Sequence, residues 1–97
     1  MPIRSHPGAR RDFNRAVDWY IAEGGKLVAT RFIDEVEQLR ALILDYPRIG
    51  TPGLLDTRSL VFKRFPYTLV YRARGDVIEV IALAHQSRRP DYWVKRI

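Results

Sequence analysis

Apolar residues recur at Ala9, Phe13, Ala16, Val17, Tyr20 and Ile21, the spacing of one face of a helix. Gly24-Gly25 stops that pattern. A second one follows, with Leu27, Phe32, Val36, Leu39 and Ile43 inward and Arg31, Asp34, Glu37 and Arg40 outward, until Tyr46-Pro47 ends it. Two helices joined by so short a turn predict a helical hairpin. Before it, Pro2–Ser5 reads as a short strand. After it, Arg48-Ile49-Gly50-Thr51-Pro52-Gly53 concentrates turn-forming residues and reads as a surface loop.

Beyond the loop the pattern changes to that of a sheet. Ser59–Phe65, Tyr67–Ala73 and Val77–His85 are rich in β-branched, aromatic and aliphatic residues, with Phe65-Pro66 as a break and Arg74-Gly75-Asp76 as a hairpin turn. A three-stranded antiparallel meander is expected. In its last strand Ile78, Val80, Ala82 and Ala84 would face one way, and Val77, Glu79, Ile81, Leu83 and His85 the other. Both faces are partly apolar, so this strand is placed at the sheet's centre, one side under the hairpin and the other lining a groove for a partner. Pro90 opens a possible final helical turn over Asp91–Arg96. The class is α+β: an N-terminal helical hairpin packed on a small, mainly antiparallel sheet, in one domain spanning residues 1–97.

Composition agrees with a single small core. The chain has 46% hydrophobic and 29% charged residues, which separates it from disordered sequences. It has no cysteine, so packing or a bound partner must stabilise it, and the reducing cytoplasm is the expected location. No apolar run resembles a signal peptide or a membrane span. The net charge of +6 is uneven: residues 1–50 carry +1 and residues 51–97 carry +5. Such a field favours phosphates or an acidic protein without choosing between them.

Candidate chemistry gathers at the end of the last strand. His6 and His85 are far apart and no spaced carboxylate set joins them, so no metal is expected. Gly24-Gly25 and Gly50-x-x-Gly53 match no phosphate-binding loop, so no nucleotide cofactor is expected either. What remains is Ala84-His85-Gln86-Ser87-Arg88-Arg89-Pro90-Asp91-Tyr92-Trp93. Metal-free RNA cleavage needs a base, cations for the developing phosphorane and a proton donor, roles that His85, Arg88 or Arg58, and Tyr92 could fill. Each also has a structural alternative: a hydrogen-bonded His85, Tyr92 and Trp93 docking the C-terminus, solvated Arg88 and Arg89, and Lys63 and Arg64 as edge-strand charges.

The order of elements, together with Ala9-x-x-Asp12-Phe13, Trp19-Tyr20, Phe32-x-x-Glu35-Val36, Pro47-x-x-Gly50, Arg58, Phe65-Pro66-Tyr67-x-x-Val70-Tyr71 and Ala84-His85-x-x-Arg88-x-Pro90-x-Tyr92-Trp93-x-x-Arg96, resembles the RelE/ParE superfamily of toxins from bacterial type II toxin–antitoxin systems. The ending His85-Gln86-x-Arg88 and the long hairpin are closer to the ParE branch. The resemblance implies a ParD-like cognate antitoxin lying across the toxin in a hetero-oligomer, and DNA gyrase as target. His85, Arg88, Arg89, Tyr92, Trp93 and Arg96 are then the expected target-binding residues. The RelE-like alternative is a ribosome-dependent mRNA endoribonuclease using His85, Arg88, Arg58 and Tyr92. A non-toxic interaction module is the third reading.

Overall fold

The computed structural model describes residues 2–97; Met1, part of the expected domain, lies outside the described residues. The elements are β1 (Ile3–Ser5), α1 (Pro7–Asp45), β2 (Thr51–Pro52), β3 (Arg58–Val61), β4 (Tyr67–Arg74) and β5 (Val77–His85), with single 3₁₀ turns at Leu54–Asp56 and Val94–Arg96.

α1 begins where its sequence supplies a cap and a pre-bent residue. The Gly8 amide donates to His6 Nδ1 at 2.9 Å, and Pro7 occupies the first turn, where its missing N–H costs no helical bond. Gly25 interrupts the helix with φ 82° and ψ 176°, a conformation open to glycine and costly for other residues. The span is therefore two arms folded back on each other. Tyr20 and Phe32, twelve residues apart, have ring centroids 5.3 Å apart; along a straight helix twelve residues would span about 18 Å. Phe13 and Phe32 also meet, at 6.2 Å. The expected hairpin is present, hinged where Gly24-Gly25 placed it. Leu27 and Ile21, expected inward, are instead exposed, because they flank the hinge at the hairpin's tip.

The sheet has five strands in the order β1-β5-β4-β3-β2. The expected meander is its interior, β3-β4-β5, all antiparallel. β1 adds in parallel, with Ile3 beside Ile78 and Ser5 beside Val80. β2 pairs with the start of β3. β5 lies between β1 and β4, so β4 takes the middle position assigned to β5 from sequence.

β3 ends at Val61, four residues before the expected Phe65. Phe62 turns into the core, and the amides of Lys63 and Arg64 donate to the buried carboxylate of Glu35 rather than to a neighbouring strand. Lys63 and Arg64 are thus turn residues, not edge-strand charges. Phe32, Ile43, Leu69, Tyr71 and Ile78 form the centre of the core between hairpin and sheet.

A β-bulge changes the predicted faces of β5. Val70 pairs with Ala82 and Tyr71 with Val80, leaving Ile81 as the extra residue. Leu83 therefore joins Ile78 and Val80 under the hairpin, while Ala82 and Ile81 belong to a second cluster with Val70 and Trp93. Around Ile81 and Ala82 the sheet's other face is covered by the chain's own C-terminal segment, and the groove expected on that face lies beside it, over Ser59, Thr68, Val70 and Ala84.

Candidate functional site at the C-terminal segment

The C-terminal segment is held by one carboxylate from the first arm of α1. Asp12 sits on the inward stripe with Ala9 and Ala16 and is 6% exposed. A carboxylate so placed requires partners. Its Oδ2 accepts from the Leu83 amide at 3.2 Å, the Tyr92 hydroxyl at 2.9 Å and Arg96 Nη1 at 2.7 Å, while Oδ1 accepts from Arg96 Nη2 at 3.2 Å. The bidentate Arg96 also donates to the Ile81 carbonyl at 3.0 Å, satisfying an acceptor at the bulge. A side chain at Gly8 would run into this guanidinium. First arm, bulge and chain end thus close on one point.

Electrostatics follow from that geometry. Burial, and then the charge and hydrogen bond of Asp12, push the Tyr92 phenol up to about 12. The hydrogen bond that Arg96 donates to Asp12 holds its guanidinium above the ordinary value, against the effect of burial. Arg88 lies with its guanidinium carbon 3.7 Å from the Tyr92 ring centroid and Arg96 at 5.0 Å, so two cations draw on the π-system of this ring.

His85 ends β5, its ring edge-on to Tyr67 with centroids 5.0 Å apart. Its Nδ1 accepts from the Ser87 amide at 3.0 Å, and the Arg88 amide donates to its carbonyl at 3.0 Å, forming the turn that leads out of the sheet. Trp93 is 5% exposed and packs on Val70, Ile81 and Ala82. Arg89 projects into solvent, 3.8 Å from Asp91. His85, Arg88, Arg89, Pro90 and Trp93 form one wall of a groove of ≈ 310 Å³ whose other lining includes Leu54, Ser59, Thr68 and Ala84.

Arg58 is elsewhere. It pairs with Tyr71, four residues along β4 from the Tyr67 that pairs with His85, about 13 Å away at strand rise, and on β4's opposite flank. Its Nη1 donates to the carbonyls of Arg48 and Gly50, while the Tyr71 hydroxyl donates to Pro47 and accepts from the Gly50 amide. Arg58 braces the Pro47–Gly50 turn. Of the four residues expected for RNA cleavage, the fold brings together His85, Arg88 and Tyr92, and Tyr92's proton is engaged by Asp12.

Asp12, Arg15 and Tyr67 were not among the expected site residues. They line a cleft of ≈ 140 Å³ with Ala16, Leu83, His85 and Arg88. The available signal was the acidic residue on an otherwise apolar helical stripe. No group of three or more His, Asp or Glu side chains is placed to hold a metal among the described residues, and none of their helices is long and apolar enough to cross a membrane.

Comparison with known proteins places this geometry in a family. No curated protein matches the sequence. A solved chain described as a chromosomal ParDE TA system from P. aeruginosa superposes with a TM-score of 0.77 at 17% identity, covering 88% of this chain and 95% of that one. At that identity the likeness carries the fold. The family model described as ParE toxin of type II toxin-antitoxin system, parDE, matches residues 3–90, which include Asp12, His85, Arg88 and Arg89 and stop short of Tyr92, Trp93 and Arg96. With nearly the whole chain matched, the protein belongs to the ParE toxin family of type II toxin–antitoxin systems.

Proposed function

We propose that the chain inhibits DNA gyrase through the surface around His85, Arg88 and Arg89, without chemistry of its own, and that a cognate antitoxin neutralises it in the cytoplasm. The observation that carries this reading is the commitment of the acid–base groups near His85 to the fold. Tyr92, pushed up to about 12 and donating to Asp12, is a poor proton donor to a leaving oxygen at neutral pH. Arg96 is tied to the same carboxylate, and Arg58 braces a distant turn.

What is left for a partner is a pair of guanidiniums, Arg88 with 42% and Arg89 with 84% of its side chain exposed, beside a shallow groove. That arrangement suits contact with a protein surface better than cleavage of a phosphodiester. Trp93 contributes by holding the segment down rather than by touching the target.

The test combines two readouts. Purified toxin should block supercoiling by gyrase, and induction in cells should produce no new transcript ends. Unimpaired supercoiling at saturating toxin, together with new cleavages that vanish in His85→Ala, would replace this reading with the endoribonuclease one.

A further inference from the structure

The cleft beside the Asp12 tether contains a cation that the C-terminal segment does not supply. Arg15 lies one helical turn from Asp12, on the same side of the first arm, and lines one cleft with Arg88, together with Asp12, Ala16, Tyr67, Leu83 and His85. Arg15 is exposed and forms no ion pair among the described residues. Arg88 approaches Asp12 only to 3.9 Å, whereas Arg96 already satisfies both oxygens of that carboxylate. The charge of Asp12 is balanced by Arg96. Arg15 and Arg88, one from the helix and one from the C-terminal turn, therefore line the cleft beside a single buried carboxylate, Asp12, both of whose oxygens Arg96 already occupies, which leaves the cleft with an excess of positive charge.

We propose that Arg15 and Arg88 form a clamp for a carboxylate side chain of the target protein, making Arg15 a further target-binding residue. This rests on the reading that the His85–Arg89 surface meets gyrase. The cleft has the chemistry of an aspartate or glutamate: apolar lining residues for the methylenes, and planar donors that pair with a carboxylate through parallel N–H bonds. A nucleotide fits poorly. The volume of ≈ 140 Å³ is too small for base, ribose and phosphate together. Nor is a ring free to stack a base, since Tyr92 lies under Arg88 and Tyr67 packs edge-on against His85.

The experiment is supercoiling inhibition by the full chain and three variants, Arg15→Gln, Arg15→Glu and Arg15→Lys, with thermal unfolding of each. Arg15→Gln should raise the half-inhibitory concentration about tenfold, the factor that ~1.4 kcal/mol of lost binding represents. Arg15→Glu should raise it further by repelling the carboxylate, and Arg15→Lys should restore part of the loss, because lysine keeps the charge without the fork. Unfolding temperatures should stay at the wild-type value. Inhibition by Arg15→Gln and Arg15→Glu equal to wild type overturns the clamp while leaving the gyrase reading intact. A parallel drop in unfolding temperature assigns Arg15 to stability and overturns it as well. Duplex DNA retained by the toxin on a filter and released by Arg15→Gln would identify a phosphate in place of the carboxylate. Failure of the wild-type chain to inhibit gyrase removes the parent reading, and the clamp with it.

Discussion

Each arm of the hairpin buries one carboxylate, and the two are used differently. Glu35, on the second arm, receives the backbone amides of Lys63 and Arg64, neutral donors in a turn whose side chains stay free. Asp12, on the first arm, receives one amide and two side chains, Tyr92 and Arg96, from a segment some eighty residues away in sequence. Glu35 shapes a turn between two strands that would pair without it. Asp12 is what attaches the last residues of the chain to the first helix, and with them the placement of Arg88 over Tyr92. The same chemical group is local punctuation in one place and a long-range latch in the other.

That contrast predicts effects of graded size. Asp12→Ala leaves the Arg96 guanidinium and the Leu83 amide without their acceptor, and removing one partner of a buried pair costs about 3 kcal/mol or more. Urea unfolding measures it, and hydrogen exchange should rise first in residues 92–97. Glu35→Gln retains a neutral acceptor for one amide and presents an amide nitrogen to the other, a loss of about 1–2 kcal/mol with exchange rising only around residues 62–66. If the two variants loosened the same residues, the distinction between latch and punctuation would fail.

Tyr92→Phe removes a single hydroxyl from the latch and should cost about 1 kcal/mol at neutral pH. It also gives the latch a pH signature. Because the folded state raises the phenol from 10.0 to about 12, its contribution to stability is full below pH 10 and is lost as pH rises through about 12. Wild type should therefore lose stability over that window more steeply than Tyr92→Phe, as followed by denaturant midpoints at increasing pH. Equal slopes would count against a buried, Asp12-bonded phenol. Arg89→Ala, at the solvent-facing end of the segment, should change stability by less than ~0.5 kcal/mol, since its ion pair with Asp91 is exposed.

The hairpin was legible because two separate signals agreed: helical spacing in each arm and a glycine pair where the chain must take φ 82°. The interior strands were legible for a similar reason, with Gly75 at φ 61° marking the turn between β4 and β5. The bulge was not. In Val77–Leu83 nearly every residue is apolar, so an extra residue at Ile81 breaks no visible alternation, and the faces of Ala82 and Leu83 were assigned the wrong way round. β1 and β2 are short, and their pairing depends on partners distant in sequence.

The site was legible as a cluster of residue types and not as a division of labour. Ala84–Trp93 stands out in the sequence as dense in reactive side chains, but sequence spacing cannot show that Tyr92 and Arg96 point inward to Asp12 while Arg88 and Arg89 stay exposed. Arg58 illustrates the limit from the other side. Its charge suggested phosphate, yet its Nη1 donates to the carbonyls of Arg48 and Gly50 and ties it to a turn. Whether a guanidinium recognises a partner or closes a turn is decided by which acceptors the fold brings to it.

The exposed guanidiniums of the latched C-terminal turn are proposed to act on gyrase by contact. The most direct test is the supercoiling titration of the wild-type chain beside Arg88→Ala/Arg89→Ala, a double variant that leaves Asp12, Tyr92 and Arg96 in place. The account predicts that wild type stops supercoiling and that the double variant, folded to the same extent, requires at least about tenfold more protein to do so. Equal inhibition by the two proteins, or none by wild type at saturation, would contradict it.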